Sequence, residues 1–414
     1  MKKILIALLI SCMLLTVGCN EGKKPSSGSN SNQNGGSNVE NTEQSTQIAG
    51  LDEDQKALLK INNYATTPVK DIKVERKIIQ AYDSYWDYNH QPAIAIFKGK
   101  IYVAYANGHD GEGNCGQRIM ITSSSDFKNW SKPVPLVDTT KGYYSNISSS
   151  PIGLYATKDK LVAYCMSGEY KPESLQGENK RPATDGHNLW QKMYIKTTTD
   201  GVNWSKAEVF GDGTLIASPR VTSGGRLIMP SSNGYAYTDD LNGLKDWKFN
   251  HFEGYNETVF TYGGLQDGRY SESSWYEYDG YIYLLCRTGT QYMAGARSKD
   301  NGKTWSKPQL TSFSENTTKF AFTTLPNGKI AYVGTPDLDG YRATLKLCIS
   351  SNGIDFNDQY MLGDERYTIK TPGFAKAGDY GYPAICTDEE YLYAVYSRGK
   401  EILEICRVKL SDLD

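Results

Sequence analysis

The stretch RSKDNGKTWSKP, Arg297 to Pro308, decides the fold, because copies of it recur along the chain. TSSSDFKNWSKP begins at Thr122, TTTDGVNWSK at Thr197 and SSNGIDF at Ser350, and a looser version, YTDDLNGLKDW, runs from Tyr237. Asp126 with Trp130, Asp200 with Trp204, and Asp300 with Trp305 keep the pattern best, and Asn352 with Phe356 is a softened copy. An Asp side chain caps backbone N–H groups inside its own tight turn. Gly supplies the positive φ that such a turn asks for. The aromatic ring is left free to pack between neighbouring sheets. Repeats of this kind mark an array of equivalent structural units.

Between the copies lie short apolar or alternating runs joined in pairs by tight turns. AIAIFKGKIYVAYA (from Ala93), RVTSGGRLIMP (from Arg220), SSWYEYDGYIYLLCR (from Ser273) and AFTTLPNGKIAYVG (from Ala321) all read as hairpins. A further strand carrying the Ser/Asp/Gly/Trp signature often follows. Strand–turn–strand–strand units of this spacing are the sequence signature of propeller blades, and no long helical periodicity competes. The expected fold is therefore all-β, a β-propeller. Five copies fit six blades; seven shorter blades also fit.

The repeats resemble the Asp box, Ser-x-Asp-x-Gly-x-x-Trp, of the sialidase-like propeller superfamily. In that superfamily the boxes lie on the outer rim, away from the active site. They identify relatives and build the fold, and they perform no chemistry.

The resemblance extends to candidate site residues. Sialidases bind a sugar carboxylate with three arginines, use a Tyr nucleophile polarised by a Glu, and place an Asp acid/base on a loop near the first blade. Glu272 precedes the hairpin that ends in Arg287, which resembles the family's Glu and second Arg. Arg342 opens the strand leading into a box, like the third Arg, and Tyr382 begins the last hairpin, where the nucleophile belongs. The first Arg is missing: His90, Gln91 and Pro92 stand at its place. His109 and Asp110 occupy the loop that carries the acid/base, with Asp110 implied in that role. Arg220 and Tyr155 are further candidates for the cleft. Arg118 and Arg269 are weaker ones.

The chemistry accounts for that set. Two guanidiniums grip a carboxylate through paired, charge-assisted hydrogen bonds. A Glu beside a phenol eases the development of phenolate character. A Tyr nucleophile suits an anomeric carbon that already bears a carboxylate. Three readings stay open. The first is an exo-glycosidase of sialidase type acting on a terminal acidic sugar, not strictly N-acetylneuraminic acid. The second is a polysaccharide lyase cleaving uronate-containing glycans by β-elimination, with His90, His109 and Tyr382 as acid and base, since a near-neutral base suits that step. The third is a non-catalytic glycan-binding protein. All three take an acidic oligosaccharide or polysaccharide as partner.

The chain's start bears on location. MKKILIALLISCMLLTVGC, Met1 to Cys19, has two lysines, an apolar run too short to span a membrane, and small residues before the Cys. LTVGC resembles a bacterial lipobox, which makes Cys19 the expected lipidation site and residues 1–18 a lipoprotein signal peptide. Residues 19–50, rich in Ser, Asn, Gly and Gln, read as a flexible tether. Residues 51–75 read as a short connecting segment, and 76–414 as the propeller. The expectation is a lipoprotein held through Cys19 on the outer face of a bacterial membrane.

Composition excludes other classes. A net charge of −2 argues against a nucleic-acid partner. The 31 Tyr, 7 Trp and 40 Gly suit twisted strands, tight turns and aromatic-lined clefts. The cysteines after Cys19 are scattered without a C-x-x-C or Cys/His pattern and read mainly as small buried hydrophobes. No metal cluster or nucleotide fingerprint stands in the sequence. No cofactor is required, a structural calcium is compatible with the fold, and a monomer is expected.

Overall fold

A computed structural model describes residues 50–413, apart from 178–179, 184–186, 233, 253–259, 263–264, 268–270 and 339. Six four-stranded antiparallel sheets follow one another, each a meander of neighbouring strands. Their innermost strands are Tyr88–Phe97, Ser148–Ala156, Arg220–Val221, Ser273–Tyr278, Ala321–Thr324 and Gly381–Thr387. We number the blades 1 to 6 in that order. The fold is a six-bladed β-propeller; the seven-blade alternative falls.

Blade 6 closes the ring. Its outermost strand is Glu75–Gln80, from before blade 1, paired antiparallel with Ile402–Lys409 so that Glu75 faces Arg407 and Lys77 faces Ile405. This closure explains why six blades carry five boxes. In blades 1 to 5 the box forms the turn from the third strand to the fourth. In blade 6 the third and fourth strands come from opposite ends of the chain, so no such turn exists.

The boxes behave as their residues dictate. Asp126 accepts from the backbone N–H of Lys128 and Asn129, Asp200 from Val202 and Asn203, and Asp300 from Lys303 and Thr304. Asp240 and Asn352 repeat the arrangement at Asn242 and Leu244, and at Ile354 and Asp355. Hydrogen bonds from Asn129 hold the Asp126 carboxyl at about 2. Gly201, Gly243, Gly302 and Gly353 take the positive φ; in the first box Phe127 adopts it, at 66°.

The core is divided among the six blade interfaces, with one apolar cluster in each. Trp130, Trp204, Trp247, Trp305 and Phe356 each sit in the cluster between their own blade and the preceding one. The interface between blades 5 and 6 has no box ring. Leu413 fills it instead, with Leu410, Ile72 and Val74 packed alongside. The helix Glu53–Leu59 and the chain after it bind the outside of blades 4 and 5. Leu58 and Ile61 enter that interface, and the backbone of Ile61 and Asn62 bonds Ser312, Ile354 and Phe356.

Topology then assigns the loops to two faces. First-to-second and third-to-fourth turns share the face that bears the boxes. Blade-to-blade links and second-to-third loops share the opposite face, which we call the mouth.

Candidate active site

The mouth face gathers charge. Glu272, Tyr382 and His90 stand at the mouth ends of the inner strands of blades 4, 6 and 1. Second-to-third loops supply Arg287 from blade 4, Arg342 from blade 5, Lys400 from blade 6, Glu112 from blade 1 and Arg181 from blade 2. The link from blade 4 to blade 5 adds Glu315 and Lys319.

Three of these side chains meet directly. The Tyr382 hydroxyl donates to Glu272 Oε1. Arg287 Nη1 lies 2.6 Å from Glu272 Oε2 and 3.3 Å from the Tyr382 oxygen. Backbone pairing fixes Glu272 and Arg287 relative to each other, since Arg287 N donates to Glu272 O at 2.8 Å. Arg342 acts electrostatically on Arg287, Tyr382 and Glu272, while its Nη2 donates to the Thr317 carbonyl at 2.6 Å. Lys319 donates to the Ile216 carbonyl and lies within electrostatic reach of Glu272.

Burial and charge set the protonation states. Burial, with Glu272 beside it, drives the Tyr382 phenol well above its usual value. Burial would raise Glu272 too, but Arg287 and the Tyr382 hydroxyl bring it below the ordinary carboxylate value. Burial lowers Lys319 to about 8 and raises Glu315 to about 7, where Tyr332 and Thr335 donate to its carboxyl.

The backbone here is strained. Tyr382, Gln91 and Arg342 hold φ of 54°, 53° and 54°, in the left-handed region that non-glycine residues avoid. For Gln91 and Tyr382 the strain coincides with a register shift at the start of the inner strand. At Gln91 and Tyr382, on inner strands beside the buried cluster, such strain belongs with a functional site.

The remaining candidates are placed as follows. His90 is fully buried, its ring 4.2 Å from the Tyr382 ring. His109 turns away, stacked at 4.0 Å on Trp86 with Nδ1 on the Tyr85 carbonyl. Asp110 is exposed at a left-handed turn, φ 56°, and is not drawn into the Glu272–Tyr382–Arg287 cluster. Two residues on, Glu112 points to the mouth, its carboxylate held by Lys400 at 2.7 Å and Gln91 at 3.2 Å. Its loop is zipped to the link before blade 6: Gly111 approaches Phe374 so closely that an added Cβ would lie 2.3 Å from that carbonyl. Arg220 stacks on Trp275 and donates to its carbonyl, lower on the inner wall, where burial reduces its pKa to about 10. Tyr155 bonds the Leu241 carbonyl in the blade 3 box, so it lies at the opposite face from the cluster. Arg118 covers Trp86. Arg269 and Cys19 lie outside the described residues.

Sequence reasoning missed Glu112, Glu315, Lys319, Lys400 and Arg181. One signal was available for Lys400: its RGK turn joins the second and third strands of blade 6, the loop class that delivers Arg287 and Arg342. The six described cysteines are all free. Among the described residues no group of three His, Cys, Asp or Glu is placed to hold a metal, and no helix is long and apolar enough to cross a membrane.

Relatives share this architecture. The fold matches a mutant of Trypanosoma rangeli sialidase displaying trans-sialidase activity, with 14% identity and a TM-score of 0.58 over 83% of this chain and 60% of that one. Another sialidase matches with 16% identity and a TM-score of 0.60 over 84% and 35%. A Dyadobacter fermentans protein of unknown function matches with 17% identity and a TM-score of 0.58 over 81% and 99%. The chain thus spans less than two-thirds of the length of either sialidase. No curated protein matches. Residues 99–394 match the BNR repeat-like domain. Box turns, six blades and that match together show that the chain belongs to the BNR repeat-like family, in the sialidase-like propeller superfamily.

Proposed function

We propose that the protein is a glycosidase of sialidase type that removes a terminal, carboxylated sugar from extracellular glycans. The observation that carries this reading is the Tyr382 hydroxyl bonded to Glu272 with Arg287 against both. A phenol held this far above its usual value does not ionise beforehand. Its proton passes to Glu272 as the oxygen attacks the anomeric carbon, and Arg287 stabilises the developing phenolate. As the new bond forms, the bond from the anomeric carbon to the glycosidic oxygen breaks, and the leaving sugar's oxygen takes its proton from Asp110 in its carboxylic acid form, since Glu112 is ion-paired with Lys400 as a carboxylate. Water then releases the acid from Tyr382. Arg287 and Arg342 hold the substrate carboxylate.

One observation favours a second reading. His90 is neutral and packs on Tyr382, so it is placed to take the proton beside a carboxylate in a β-elimination from a uronate. His109, the other histidine considered for that chemistry, faces Trp86 instead. A panel of acidic oligosaccharides separates the readings: a saturated acid that depends on Tyr382 supports the glycosidase, and an unsaturated product supports elimination. Binding without turnover across the panel leaves a glycan-binding protein.

We also propose that Cys19 is lipidated and tethers the propeller outside the cell. Cys19→Ala should move the protein from the membrane fraction to the medium and abolish palmitate labelling. Retention in the membrane fraction overturns the tether.

A further inference from the structure

Apart from the Glu272–Tyr382–Arg287 cluster, the mouth face holds a second group of buried charges that the proposed chemistry does not use. Lys376 stands in the link between blades 5 and 6, its side chain fully buried. Its Nζ donates to Asp87 Oδ2 at 2.7 Å, to the Thr371 carbonyl at 2.9 Å and to Glu401 Oε1 at 3.4 Å. Those acceptors match the three hydrogens of an ammonium group. Asp87 precedes the inner strand of blade 1, and Glu401 lies in the second-to-third loop of blade 6; both are buried. The backbone N–H groups of Lys370 and Thr371 and the Tyr367 hydroxyl also donate to the Glu401 carboxylate.

Stability alone does not ask for such a group, since apolar residues of similar volume often serve a core as well as buried ions or better. What the charges supply is direction. The other Asp87 oxygen, Oδ1, accepts from the backbone N–H of Asp110 at 2.7 Å. The Asp110 carbonyl in turn accepts from Phe374 N at 3.0 Å, and Glu112 N donates to the Phe374 carbonyl at 3.1 Å. Asp110 is thus held through both of its backbone polar groups, in a left-handed conformation with φ 56°, while the residue itself stays exposed. Lys376 stands two residues after Phe374. One buried cation therefore ties Asp87 to the segment that grips the other side of Asp110.

We propose that Asp87, tied down by Lys376, is a positioning residue that sets the Asp110 carboxyl for proton transfer to the glycosidic oxygen of the leaving sugar. This rests on the glycosidase reading, in which Asp110 is the acid. Losing that position costs only the substrates whose leaving group needs the proton. In Asp87→Asn one amide oxygen replaces two carboxylate oxygens, so it serves Lys376 or the Asp110 N–H and not both. Gly111→Ala strikes the opposite side of the clamp, since its Cβ would lie 2.3 Å from the Phe374 carbonyl oxygen. Two lesions of different chemistry thus converge on one loop.

The test compares lactosyl glycosides, whose leaving group needs a proton, with 4-nitrophenyl glycosides, whose leaving group does not. Both kinds are made from N-acetylneuraminic acid, its deaminated analogue and 3-deoxy-octulosonic acid. Wild type, Asp87→Asn, Gly111→Ala and Asp110→Asn are assayed as whole proteins, with melting curves confirming folding. Asp87→Asn and Gly111→Ala should lose about a hundredfold in kcat/KM on the lactosyl substrate and less than about threefold on its 4-nitrophenyl counterpart. Asp110→Asn should show the same split. Backbone amides of 109–117 should exchange with deuterium about tenfold faster in Asp87→Asn than in wild type. Equal losses on both glycosides, or none on either, overturn the positioning role and leave the glycosidase standing, as does unchanged exchange over 109–117. If wild type cleaves neither kind of glycoside, or Asp110→Asn spares the lactosyl substrate, the reading of Asp110 as a glycosidase acid fails and takes the positioning role with it. Should Asp87→Asn not fold, Gly111→Ala carries the comparison.

Discussion

The two faces of this propeller are built on opposite rules. The box face repeats one solution five times: a carboxyl or amide caps its own turn, and the ring beside it seals a blade interface. The capping bonds of each box stay within four residues. The mouth face has no such repeated turn. Its loops deliver Glu, Arg and Lys side chains in no fixed pattern, several of them buried, and Gln91, Arg342 and Tyr382 are among the backbones held left-handed. Repetition serves stability, and its absence marks the place where a ligand must be recognised.

Breaking the mouth should cost activity before stability. Tyr382→Phe removes the attacking oxygen and keeps the ring on His90; turnover of the preferred acidic glycan should fall about a thousandfold or more, with an unchanged melting temperature. Activity surviving within tenfold removes Tyr382 from the chemistry.

Arg287→Ala should damage both. It strands the buried Glu272 carboxylate, at a cost of about 3 kcal/mol by denaturant unfolding. Adding Glu272→Gln should recover part of that stability and none of the activity. Equal instability of the single and double variants would show that the pair is not energetically coupled.

Lys319 gives the mouth a pH signature. Its folded pKa, about 8, lies below the ordinary 10.5, so between those values the unfolded chain binds more protons and stability rises with pH. The contribution is about 3 kcal/mol at most. Comparing wild type with Lys319→Met from pH 8 to 10 isolates it. A wild type that loses stability relative to the variant over that window reverses the expected sign.

The smallest effect belongs to the box face. Asp300→Ala removes two backbone caps and the Thr304 hydroxyl bond. It should cost about 1–2 kcal/mol and leave turnover of the acidic glycan intact. A loss of activity at normal stability would mean that the two faces are not independent.

The same contrast explains what the sequence revealed. The boxes were legible because a self-capping turn keeps all its partners within a few residues, so periodicity alone disclosed the propeller. The helix Glu53–Leu59 is too short to announce itself by period. Glu272, Arg287, Arg342 and Tyr382 were named through the resemblance to sialidases, and the structure joins Glu272, Arg287 and Tyr382 directly. Asp110 and His109 stood on the expected loop, but loop position does not fix side-chain direction: its left-handed turn exposes Asp110, Trp86 captures His109, and Glu112 faces inward. Lys319 and Glu315 come from opposite ends of the mouth's charge balance and have no local pattern. Tyr155 sat on a convincing inner strand, yet it follows that strand to the box end. Face, more than strand, decides access to the site.

The central claim is that the mouth cleaves a glycosidic bond through Tyr382 with Glu272. The most direct measurement is turnover of acidic oligosaccharides in heavy-oxygen water, with products read by mass spectrometry. The account predicts a saturated sugar acid carrying one heavy oxygen at its anomeric carbon. An unsaturated product without the label would contradict it.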